Sequence, residues 1–133
     1  MKPFIPSRLA ELIFALIIGF FGVSHFTSTD SMAAYVPDFI PGDSKIWVYI
    51  TGAGHLLAAL SIIIGKLKTA GSYFLAFMLL VFATTIHLRG LLNTTDEGMK
   101  AIFMTNMLKD TAMAMCAILI GNRVSRKSSN QTI

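Results

Sequence analysis

The sequence predicts an all-α fold, an antiparallel bundle of four transmembrane helices in a polytopic membrane protein. Three observations lead there. The chain of 133 residues is 54% hydrophobic with a mean hydropathy of +0.67, far too apolar for an ordinary water-soluble domain. Four apolar stretches, residues 9–26, 46–64, 71–89 and 101–121, each approach the roughly 20 residues that cross a hydrocarbon core of about 30 Å. The second and third have almost no polar face, which argues against a soluble four-helix bundle. Together they make one domain over residues 1–124, followed by a polar, disordered tail over residues 125–133.

The net charge of +4 is sorted by loop. Four spans put both termini and the middle loop on one side, with Lys2, Arg8, Lys66, Lys68, Arg123, Arg126 and Lys127 and no loop carboxylate. The other side carries Asp30, Asp38, Asp43, Asp96 and Glu97 against Lys45, Arg89 and Lys100. Basic residues mark the cytoplasmic side, so both termini are expected inside. The positive excess is an orientation signal with some attraction to anionic lipid heads, not a nucleic-acid footprint. The first span holds Glu11 near its start and is followed by no small-residue cleavage site, so it is expected to be retained rather than removed as a signal peptide. The single cysteine, Cys116, excludes dithiol–disulfide chemistry within this chain and reads as a small buried hydrophobe.

Along the first span, Glu11, Ile18 and His25 recur every seven residues and share a face with Gly22. Pro3 and Pro6 keep the preceding residues from being helical, and Glu11 in the first turn suits the helix dipole. The loop over residues 27–45 alternates apolar side chains with prolines. Tyr35, Phe39 and Ile40 are predicted to fold back on the mouth of the bundle as a lid, or to anchor in the interface. In the second span Thr51, Gly52, His55, Ala58 and Ala59 form a small-residue stripe that faces protein. A basic turn over residues 65–68 makes the next span its antiparallel neighbour. There Tyr73, Ala76, Leu80, Ala83, Thr84 and His87 are read as one face, and Arg89 snorkels at the outer interface. The fourth span places Thr105, Asn106, Lys109, Asp110, Met113 and Ala117 on one side, which must face the bundle interior because lipid cannot satisfy it. Asn106 and Asp110, four apart, can support each other.

His25 and His87 fall near the outer ends of their helices; His55 and Asp110 fall about 13 Å deeper at 1.5 Å of rise per residue. The ligand-binding or proton-relay candidates are therefore His25, His55, His87, Asp110, Asn106 and Lys109, with Tyr35 and Phe39 as lid candidates. A central charge costs on the order of 2.5–3.5 kcal/mol in a membrane and defaults to function. Interhelical glue, such as a His55–Asp110 hydrogen bond contributing about 0.6–2 kcal/mol, is the competing reading. Lys109 precedes Asp110 but points about 100° away, so the two are not expected to pair face to face. A quinone head held by two histidines, a proton relay and bis-histidine haem all fit the residue types. No H-x-x-x-H or E-x-x-H pair supports a metal site, and Met99, Met104, Met107, Met113 and Met115 read as soft packing before Cu(I) ligation.

Gly22-Val23-Ser24-His25-Phe26, Tyr35-Val36-Pro37-Asp38-Phe39-Ile40-Pro41, Trp47-Val48-Tyr49-Ile50-Thr51-Gly52-Ala53-Gly54-His55 and Lys109-Asp110 resemble the DoxX/DoxD-like family of small bacterial four-span membrane proteins. The resemblance covers residues 8–122 and departs at His55, where members often carry Glu. It implies a left-handed four-helix bundle in the bacterial inner membrane, associated with respiratory or sulfur redox systems; a relative is a subunit of a thiosulfate–quinone oxidoreductase. Residues and resemblance together lead to the expectation of an accessory or redox-associated subunit, working beside other membrane subunits or as a homo-oligomer. Its outward-facing polar pocket, lined by His25, His55, His87 and Asp110, binds a quinone-like or other small hydrophobic ligand. No enzymatic signature is among the motifs. Distant eukaryotic relatives resemble assembly chaperones or cargo receptors, so a ligand-free scaffold is the rival. A small proton-coupled exporter is a third reading, although Glu11 lies too near the helix end for a midplane site.

Overall fold

The computed structural model describes residues 5–129, with side chains described over residues 5–124. The expected non-helical start at Lys2 to Phe4 lies outside the described residues, as do residues 130–133 of the expected tail. Helix α1 (Ser7–Thr27) begins directly after Pro6 and is followed by a short helix α2 (Thr29–Ala33). Helix α3 (Ser44–Ile64) starts where the Asp43 side chain accepts the Lys45 N–H at 2.8 Å, an N-cap. It stops at Gly65, whose φ of +83° is a left-handed C-cap open to glycine without strain. Leu67 is also left-handed, at φ +54°, so a very short turn reverses the chain into α4 (Lys68–Phe82). A π-helical segment, Ala83–Leu88, carries α4 into α5 (Arg89–Asn93), and α6 (Glu97–Ser129) closes the fold.

The described residues are all-helical, and four helices are long and apolar enough to cross a membrane: Ser7–Thr27, Ser44–Ile64, Lys68–Asn93 and Glu97–Val124. The protein is a multi-pass four-helix bundle. Phe20, Leu57, Phe77 and Leu119, one per span, are 67–69% exposed, a surface that lipid covers at no cost and water would not. The fourth helix does not end at residue 124 but runs through Ser129, so the expected disordered tail is helical over that part.

Helix α1 packs chiefly on α3, and α4 on α6. The core lies in the half of the bundle that carries the chain ends, and each span supplies three residues to it: Phe14, Ala15 and Ile18; Ala58, Ala59 and Ile62; Leu75, Ala76 and Leu79; Ala114, Ala117 and Ile120. The expected face of the third span is corrected by one position. Ser72, Leu75, Ala76, Leu79 and Ala83 are buried, whereas Tyr73 and Thr84 are exposed. A span apolar all round offers periodicity no polar side from which to choose its inward face.

The same half is closed by charge. The Glu11 carboxylate, buried between helices, pairs with the Lys68 ammonium and with Arg8 at 3.4 Å. Arg8 also donates to the carbonyls of Ile62, at 2.8 Å, and Ile63. It thereby satisfies the open C-terminal end of α3 and complements its dipole. Glu11 is thus the acid of an interhelical lock and not simply a partner for its own helix dipole.

Candidate functional site

The half of the bundle away from the chain ends is hollow. Its close approach of α1 and α3 is set by glycine: a Cβ on Gly52 would stand 2.8 Å from the His25 Cβ and 3.1 Å from the Gly22 carbonyl oxygen. Small residues let these backbones meet, and the consequence is that His25 and His55 lie side by side, ring centroids 5.0 Å apart and tilted by 30°. Helices α4 and α6 form the opposite wall, and between the walls is a cavity of about 360 Å³.

All six candidates from the sequence, His25, His55, His87, Asn106, Lys109 and Asp110, line this one cavity. Most of the remaining lining is apolar, including Phe21, Leu79, Phe82, Ile86, Phe103 and Met113. The loop before α3 folds over it as predicted for Tyr35 and Ile40: Tyr35 meets Phe103 edge-on at 6.0 Å, and both loop residues are in the lining. Trp47 ties the loop down by donating from Nε1 to the Pro41 carbonyl at 2.8 Å. Phe39 is a correction. It is 58% exposed, outside the cavity, with the Arg89 guanidinium 5.0 Å above its ring. A lone exposed aromatic finds a cation more readily than a second place in a filled wall.

The polar pairing differs from the expected one. His55 does not bond Asp110; its Nδ1 donates to the Thr51 carbonyl at 3.0 Å, and its ring stacks on Phe82 at 6.4 Å. His25 likewise donates from Nδ1 to the Phe21 carbonyl at 2.7 Å. The partner of Asp110 is His87, with Nε2 and Oδ2 3.0 Å apart. Asn106 supports Asp110 only indirectly. Lys109 Nζ lies 3.2 Å from Asn106 Oδ1, 3.5 Å from Asp110 Oδ1 and 4.6 Å over the Phe21 ring. The flexible lysine stem brings the ammonium back to its neighbour although the two Cβ atoms diverge. Thr105, expected on this side, is exposed.

His87 reaches Asp110 from a wide turn. A π segment carries an extra residue per turn relative to an α-helix and so shifts the phase of everything after it. Here Thr84 and Thr85 donate to the carbonyls of Leu80 and Val81, at 2.9 Å and 2.6 Å, in the turn that leads into it. The Thr84-Thr85 pair is the one sequence signal that could have pointed to the irregularity. The Nδ1 of His87 is buried without a partner. The aromatic wall of Phe21, Phe82 and Phe103 was also missed; each lies within five residues of a polar candidate, and that proximity was its only trace.

Among the described residues no three His, Cys, Asp or Glu side chains converge as a metal cage. Met104 and Met115 are 49% and 43% exposed, on the lipid side, and of the methionines in or beside the fourth span only Met113 lines the cavity. Cys116 packs against the core.

A family model described as "Domain of unknown function (DUF8561)" matches residues 14–122, a range that holds every polar group of the cavity. No curated protein matches the chain, and no solved structure does.

Proposed function

The chain belongs to the DUF8561 family, a domain of unknown function, and we propose that it is an accessory, redox-associated subunit of the bacterial inner membrane. Its cavity takes the head of a quinone-like or other small hydrophobic molecule. The observation that carries this reading is the gathering of all three histidines of the chain, with Asp110, Asn106 and Lys109, into one otherwise apolar cavity of about 360 Å³. That is the size and character of a small-molecule site, mostly apolar with a few placed polar groups. The resemblance to the DoxX/DoxD-like family supports the redox setting. The excess of basic residues near the chain ends supports an orientation with both termini in the cytoplasm and the cavity in the outer half of the membrane. Partner subunits or a second copy would meet the exposed apolar faces alongside lipid.

A ligand-free scaffold is the second reading, favoured by the His87–Asp110 pair, which by itself joins α6 to the π segment. Exporter chemistry is disfavoured, because Glu11 is engaged by Lys68 and Arg8 and lies outside the cavity. Native mass spectrometry with a visible and ultraviolet absorption spectrum, on gently purified wild type and His55→Ala, tests the proposal. A bound molecule present in wild type and lost in the variant is the expected result. Equal emptiness and equal stability of both would leave the scaffold.

A further inference from the structure

Two of the cavity's three histidines, His25 and His55, are held by backbone carbonyls. A backbone carbonyl only accepts, so the Nδ1 of His25 and of His55 must carry the proton given to Phe21 and Thr51. In the neutral ring their Nε2 atoms are then lone-pair acceptors. Neither Nε2 has a partner among the described residues, both histidines line the cavity, and the two rings stand side by side on one wall. Donors are present as well, in the Asn106 amide and the hydroxyls of Thr51 and Tyr35, while the Lys109 ammonium is shared among Asn106 Oδ1, Asp110 and the Phe21 face. The paired acceptors of His25 and His55 are what a ligand must answer with donors of its own.

We propose that the cavity selects the reduced, hydroxyl-bearing form of its ligand: a quinol head, which donates hydrogen bonds to His25 and His55, over the corresponding quinone, which only accepts them. This rests on the quinone-class reading above. A quinone bound here leaves the two imidazole lone pairs without a donor beside its own carbonyl oxygens, and acceptors facing acceptors in a site closed to water is a strongly disfavoured arrangement. A metal ion would also satisfy lone pairs, but the side chains do not converge on a common point as a cage requires. The preference concerns binding alone and implies no electron transfer within this chain.

The test compares a decyl-tailed benzoquinol, kept under argon, with its benzoquinone on wild-type protein in lipid nanodiscs, by calorimetry or quenching of Trp47. The expected result is quinol binding tighter by at least about tenfold, the ratio one to two good hydrogen bonds supply. Equal affinities, or tighter quinone, overturn the selection while leaving the cavity a quinone-class site. Binding of neither overturns that reading and the selection with it. His55→Phe keeps a flat ring against Phe82 and removes the acceptor, so it should lower quinol affinity toward that of the quinone and leave quinone binding little changed. An equal loss of both ligands in His55→Phe, repeated in His25→Phe, would show that the histidines act only through packing and would sink the proposal.

Discussion

The two halves of this bundle are built from the same four helices and solve opposite problems. In the half with the chain ends, twelve apolar residues fill the interior, and Glu11, Lys68 and Arg8 tie three helix ends together. In the other half, aromatic rings and six polar groups surround about 360 Å³ of empty space. In lipid there is no water to drive helices together, so the bundle must be held by packing and polar contacts. The filled half supplies the packing. The hollow half can then keep unpaired acceptors and an orphaned His87 Nδ1, which a protein held together only there could not tolerate.

That division can be broken in a definite order, read by unfolding in mixed micelles. The largest effect should come from Ile62→Ala, at a fully buried site, with a loss of about 2–5 kcal/mol. Met113→Ala, at a partly buried site that borders the cavity, should cost less than Ile62→Ala; equal costs would erase the distinction between the halves. Next, Lys68→Met leaves Glu11 buried with only a 3.4 Å contact to Arg8 and should cost about 3 kcal/mol. Adding Glu11→Gln should restore most of that, and failure to restore it would mean the lysine acts through its stem alone. A smaller effect than at Lys68 is expected from Asp110→Asn. It weakens one interhelical bond and should cost about 0.6–1.7 kcal/mol in stability, while ligand retention falls much further. A large loss of stability with ligand retained would assign the His87–Asp110 pair to the scaffold instead.

The two connections of α3 show how legibility varies. The turn into α4 was readable from Gly65 and the basic residues around it, because a left-handed C-cap is a property of one residue and its neighbours. The loop into α3 was readable only as a tendency. That Tyr35 and Ile40 would close over the cavity followed from their apolarity among prolines, but Phe39 has the same character and lies outside under Arg89. A one-residue difference in a loop reverses the direction of a side chain, and composition carries no information about that.

By itself the sequence determined the four spans, their antiparallel order, the protein-facing small-residue stripe around Gly52, and the inward placing of the polar candidates. Each of these depends on the hydropathy and period of one helix at a time, and lipid enforces it by rejecting polar faces. Only the tertiary structure decided which partners meet: His87 rather than His55 on Asp110, Lys109 between Asn106 and Asp110, Lys68 and Arg8 on Glu11. Such pairings depend on the rotation of each helix about its own axis. Ala83–Leu88 alters that rotation by a wide turn, and an all-round apolar span such as the third leaves it open until its neighbours are packed.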